Sequence, residues 1–179
     1  DGERYLAELD RIEPRLASGD EAGKATARQE FESLQKRALC ANPLVCDAPI
    51  LFVVRNQYKP DHHNTETMFQ TGTVNTGSYQ GGGALKRLDL RRPPGSQVTT
   101  LLDPGAEGVV RDPDVHFGGE RILFALRRGR ADNYHIYETR ADGSGLRQLT
   151  SAAGVTDIDP LYLPEDDVVF TSTREPKFC

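Results

Sequence analysis

Two stretches of this chain are written on one pattern. RILFALRR, Arg121 to Arg128, and DVVFTSTR, Asp167 to Arg174, each run through β-branched and apolar residues to a closing arginine. Phe170 follows Phe124 by 46 residues. At the same offset Gly154 follows Gly108, Val155 follows Val109, Tyr162 follows His116, Leu163 follows Phe117 and Arg174 follows Arg128. ILFVVR, Ile50 to Arg55, is a third run of the same kind. A fixed period of this length marks supersecondary units that bury their faces by stacking on neighbours, as in solenoids and propellers. The units are punctuated by Gly and Pro and are rich in strand formers, which excludes a helical solenoid.

Within one period the elements are short strands. NYHIYETRADGSGLRQLT, Asn133 to Thr150, reads as strand, tight turn, strand, because ADGSG supplies residues that tolerate positive φ between alternating apolar flanks. GALKRLDLRRPPGSQVTTLLD, Gly83 to Asp103, is a looser version with RPPGS as its turn. Each unit therefore holds an aspartate-bearing entry strand, an ILF-type strand and a hairpin, four strands that make one blade of a β-propeller. The expected fold class is mainly β, a partial β-propeller.

The first 43 residues differ. Tyr5, Leu6, Leu9, Ile12 and Leu16 recur at helical spacing, as do Phe31, Leu34, Ala38 and Leu39 after an N-cap at Asp20. Pro14 weakens or kinks the first helix, and Pro43 ends the second by pushing Asn42 to extended geometry. This predicts a helical hairpin over residues 1–43, with propeller blades over 44–179. The chain begins at Asp1 and stops at Cys179 directly after a strand-like run, which reads as a cut at both ends and as an incomplete propeller.

The net charge is −5, so nothing draws a nucleic acid to this chain by charge. No apolar run reaches the ~20 residues of a membrane span. Cys40 and Cys46 are near enough in sequence to close a small disulfide loop in an oxidising compartment; two separate thiols is the alternative reading.

DPDVHFGGERILFALRR followed by HIYETRADGSGLRQLT resembles the repeat of TolB-type β-propellers, in which D-P-x-[WF]-S-P-D-G precedes an [IL]-x-F strand and a D-G-S-G hairpin. GGER and PEDD stand where PDGK is usual. The resemblance covers residues 106 to 175 well and 50 to 105 loosely, and implies six blades in the complete domain. LFVVRNQYKPDHHNT, GGGALKRLDL, RDPDVHF and DIDPLYLPEDDVVFTSTREPKFC further resemble a group of exported planctomycete-type proteins related to the N-terminal propeller of the hydrazine synthase α subunit. This likeness implies an exported, periplasmic or equivalent location and a binding scaffold that takes a protein or small ligand at the channel mouth. Its alternative implication is the propeller portion of a multidomain redox enzyme with c-type haem. No C-x-x-C-H motif occurs in these residues, so a haem would belong to a region outside them and no cofactor is expected within.

Candidate site residues fall in two places. The insertion Asn56 to Gly82, rich in Asn, Thr, Gly and Tyr, carries Asp61, His62 and His63. A connection this long is uncommon without a functional reason or disorder. Consecutive histidines on an extended backbone point to opposite sides, so His62 and His63 line a ligand loop or sit in a solvated one. Asp61 and His62, with His116, are the components of an N/O-type metal site, and Cys179 is a further metal-ligand candidate. The second place is RDPDVH, where Asp112, Asp114 and His116 face a ligand near the axis. Asp157 and Asp159 are taken as repeat-mates of the two aspartates; the alternative is that all of them cap turns and satisfy buried N–H groups. Gly81 to Gly83 read as a bulge or flexible strand entry. Arg127, Arg128 and Arg130 read as a solvated edge that discourages further strand pairing.

Overall fold

The computed structural model describes residues 2–56, 79–93 and 95–174. Asp61, His62, His63 and Cys179 lie outside the described residues. The chain divides into two compact units, one of residues 1–50 with 89–97, the other of residues 51–88 with 98–179.

The first unit is built on a helical hairpin, α1 (Gly2–Ser18) and α2 (Glu21–Cys40), followed by the short α3 (Pro43–Cys46). Asp20 caps α2, its side chain accepting from Gly23 N at 2.8 Å. Asn42 is extended and caps α3, with Pro43 at its first position. Pro14 lies inside α1 without ending it. Ile12, Ala27 and Leu34 are buried between the helices, with Tyr5, Leu9, Leu16 and Phe31 packed around them. Leu6 and Leu39, expected on the packed face, are exposed instead. The hairpin is tied at both ends by arginine–carboxylate pairs, Arg15 with Glu30 and Arg37 with Glu8. The hydrogen bond from Arg37 holds Glu8 below the usual carboxylate range. Cys40 and Cys46 are free thiols.

The second unit is mainly β. Its strands are β1 (Ile50–Arg55), β2 (Gly83–Leu88), β3 (Val98–Leu102), β4 (Val109–Val115), β5 (Arg121–Arg127), β6 (His135–Arg140), β7 (Arg147–Gln148), β8 (Asp157–Tyr162) and β9 (Val168–Ser172). They form three sheets in chain order, β1-β2-β3, β4-β5-β6-β7 and β8-β9. The pairings β2–β3, β4–β5, β5–β6, β6–β7 and β8–β9 are all antiparallel. β5 is apolar along its length because both of its faces are covered. Ile122, Phe124 and Leu126 pack with Leu85 and Leu101 of the first sheet, while Leu123 and Ala125 pack with Ile158 and Tyr162 of the third.

The repeat is visible in the register. β4 and β5 pair with a shift between Arg111 and Asp114; β8 and β9 pair with a shift between Ile158 and Leu161. The same bulge recurs, and it corrects the sequence alignment. The cross-strand pairs Asp114–Leu123 and Leu161–Val169 are equivalent, so the offset is 47 on β4 and β8 but 46 on β5 and β9. The turns absorb the difference: His116 N bonds Arg121 O in one hairpin, and Leu163 N bonds Asp167 O in the other. Asp159 is therefore the mate of Asp112, Leu161 the mate of Asp114, and Leu163 the mate of His116. Asp157 matches Val110 and is no counterpart of either aspartate.

Gly81 to Gly83 lead into β2 and approach neighbouring backbone closely: a Cβ on Gly81 would lie 2.5 Å from Glu107 Cα, and one on Gly83 would lie 2.4 Å from Val54 O. One further expectation changes. Arg127 is buried and not a solvated edge residue. Its guanidinium stacks 4.4 Å from the Tyr79 ring centre and donates to the carbonyls of Gly129 and Arg130.

Candidate functional site

The site grows from the bulge. Asp112 and Asp159 both adopt φ 51°, a left-handed conformation that Asp tolerates better than most residues. Each precedes a proline, Pro113 or Pro160, which disfavours the right-handed helical geometry for it. The chain thus makes a kink at one position of two successive first strands, and the kink re-aims a side chain, as bulges beside functional sites do. The two carboxyls are close enough that Asp112 acts on the titration of Asp159. Burial raises Asp159 above the usual carboxylate range, and the bond to Asp112 and its charge add to this; Arg111 opposes it.

Arg111 is the counter-charge. Its Nε donates to Asp112 Oδ2 at 2.6 Å, and its guanidinium lies 5.6 Å from the Tyr134 ring centre. Burial pulls Arg111 down, and the carboxylate of Asp112 more than offsets this, so the net displacement is upward. The side chains of Arg111 and Asp112 are 22% and 26% exposed, so the group is reachable from solvent while most of each side chain is packed.

Asp114 is turned to a different task. Its Oδ2 accepts from Tyr162 N at 2.9 Å and joins the second sheet to the third. Asp157 does likewise through its backbone, donating to Tyr134 O at 2.8 Å, while its buried carboxylate takes Arg174 Nη2 at 3.0 Å. His116 is also engaged at both nitrogens. Gly118 N donates to Nδ1 at 3.0 Å, so Nδ1 is the acceptor and Nε2 carries the proton that faces Asp166 Oδ1 at 2.7 Å. The His116 ring also meets Tyr162 edge-on, with centres 4.9 Å apart.

Around it runs a network across the two sheets. Arg121 reaches Asp166 at 2.6 Å, Tyr162 Oη donates to Glu138 at 2.8 Å, and Arg147 reaches the same carboxylate at 2.8 Å. Hydrogen bonds from His116 and then Arg121 hold Asp166 below its ordinary range. Glu138 is pushed up by burial, but the bonds from Tyr162 and Arg147 outweigh that and it lies low. Burial followed by the bond to Glu138 drives the Tyr162 hydroxyl up. A carboxylate this well neutralised is a joint between sheets, not an acid or base awaiting a substrate.

Of the sequence candidates, then, Asp112 faces Asp159, while Asp114 and His116 are spent on sheet-to-sheet bonds. Arg111 and Tyr134 belong to the site and were missed. Arg111 directly precedes the Asp-Pro pair in sequence, and that adjacency was the signal available. Among the described residues no group of three or more His, Cys, Asp or Glu stands where it could hold a metal ion, and no helix is long and apolar enough to cross a membrane. A scan against models of known protein families finds no match, and a search of curated proteins finds none either.

Proposed function

We propose that this chain is a binding and interaction scaffold of TolB-like β-propeller type, exported from the cell, whose ligand-facing element is the pair of kinked first strands. Each antiparallel sheet is one blade or part of one. The reading is supported by the serial order of the sheets, the recurring register and the recurring Asp-Pro bulge. The observation that carries it is the Asp112–Asp159 carboxyl pair beside Arg111, partly exposed where two sheets meet. Two carboxyls beside a single guanidinium make the cluster acidic. A cationic donor such as a lysine or arginine side chain of a partner protein, or a small ammonium ligand, would pair with the second carboxyl.

The test is calorimetric titration at neutral pH with a short lysine-containing peptide and with its side-chain-acetylated form. Binding of the charged peptide alone, abolished in the Asp112→Asn/Asp159→Asn double variant, is the expected result. Equal binding of both peptides, or survival of binding in the variant, contradicts it.

A further inference from the structure

Arg111 and Arg127 lie on one face of the second sheet. β4 and β5 pair Val109 with Arg127 and Arg111 with Ala125, so the two arginines stand at diagonal positions. Val109 and Ala125 belong to the buried cluster that also holds Tyr79 and Tyr134, and residues two apart on a strand share a face. Both guanidiniums meet the ring of Tyr134, Arg111 at 5.6 Å and Arg127 at 6.0 Å from its centre. Arg127 also lies 4.4 Å from the centre of the Tyr79 ring. The four side chains form one chain of contacts, Tyr79 to Arg127 to Tyr134 to Arg111. It ends at Asp112, where Arg111 Nε donates at 2.6 Å.

Arg127 is unusual in this series. It is only 9% exposed, and among the described residues it forms no ion pair; two carbonyls and two ring faces hold it. Burying a charge without a counter-charge is costly. A guanidinium does at this place what an apolar side chain does not: it attracts two aromatic faces while its fork bonds the backbone. Tyr79 is fixed from the other side. Its hydroxyl donates to Glu107 O, Asn56 Nδ2 donates to Gly81 O at 2.6 Å, and Gly82 N donates to Gly108 O at 2.9 Å. The ring that Arg127 lies against is thereby anchored to the loop before β4.

We propose that Tyr79, Arg127 and Tyr134 are positioning residues for the acidic pair: their stack keeps the Arg111 guanidinium on Asp112 and so leaves Asp159 as the carboxyl that receives a cationic ligand. Arg111 is within electrostatic reach of both carboxyls. An arginine free to move between them would pair with either and would compete with an incoming lysine or ammonium group. Held against the Tyr134 ring and bonded to Asp112, it stays on one side. The ligand half of this inference rests on the cation-binding reading given above; the placement of Arg111 does not.

The experiment follows the Asp159 carboxyl carbon by NMR titration in the full chain and in Arg127→Met, Tyr79→Leu, Tyr79→Phe and Leu126→Ala, and then titrates each with the lysine-containing peptide. Arg127→Met and Tyr79→Leu are expected to lower the Asp159 titration, because a released Arg111 reaches Asp159. Loss of the Arg127 charge alone would raise a nearby carboxyl, so a downward move reports Arg111 itself. Peptide affinity is expected to fall about three- to tenfold in the same two variants. Tyr79→Phe keeps the ring and is expected to keep both properties. So is Leu126→Ala, a core loss next to Arg127 but on the opposite face of β5. An Asp159 titration that stays in place or rises in Arg127→Met and Tyr79→Leu overturns the proposal, as does an equal shift in Leu126→Ala. A parent chain that binds no peptide overturns the cation-binding reading and the ligand half with it, while the titrations still decide the placement of Arg111.

Discussion

Asp112 and Asp114 are two residues apart and do opposite things. Asp112 sits at the kink and turns its carboxyl to Asp159, while Asp114 spends its carboxylate on a backbone N–H of the next sheet. Removing Asp114 leaves the N–H of Tyr162, a residue only 2% exposed, without that acceptor. Asp114→Ala is therefore expected to destabilise the fold by about 1–3 kcal/mol, with Asp114→Asn losing less because its carbonyl still accepts. Urea unfolding of both variants checks this, and an alanine variant as stable as the parent would contradict it. That carboxylates gather near the first strands was legible in RDPDVH. Which of them meet was not, because a one-residue difference between two hairpin turns shifts the alignment on one strand and not on the other. The left-handed turn at Asp112 also leaves no mark in the sequence beyond the proline that follows it.

At the scale of elements, strand β5 and the helical hairpin were legible for different reasons. RILFALR is an unbroken apolar run, and a strand covered on both faces needs one. Phe124 is fully buried and lies against Tyr137, with ring centres 6.2 Å apart. Phe124→Ala is expected to cost about 3–5 kcal/mol, whereas Phe117→Ala, at a residue 72% exposed on the hairpin tip, should stay within about 0.5 kcal/mol of the parent. Thermal melts of the two variants side by side measure the contrast, and comparable losses would mean that β5 is not the central strand of the stack. The helices were legible from period and cap. Leu6 and Leu39 were misassigned because a two-helix hairpin has a narrow seam, and an apolar residue at its border gains no partner from spacing alone. Arg127 was misread for the converse reason. Its charge suggested solvent, but its guanidinium is satisfied by the carbonyls of Gly129 and Arg130 just after it and by a tyrosine face, that of Tyr79, from a distant part of the chain.

The whole molecule is a helical unit and a unit of serial antiparallel sheets, and the central claim concerns the second: successive sheets repeat one bulged first strand and bring its aspartates together. The pH dependence carries the signature. The folded state keeps the proton of Asp159 to higher pH than the unfolded chain does, so this group's contribution is fully present below the ordinary carboxylate range. It is lost as pH rises through the displaced titration, and it is flat above. The measurement to make is carboxyl-carbon NMR titration of Asp159 in the folded chain, repeated in Asp112→Asn. The account predicts that Asp159 titrates above the ordinary carboxylate position, with a smaller displacement once its charged neighbour is gone. A titration of Asp159 at the ordinary carboxylate position, unchanged by the substitution, would show that the kinked strands do not meet and would contradict it.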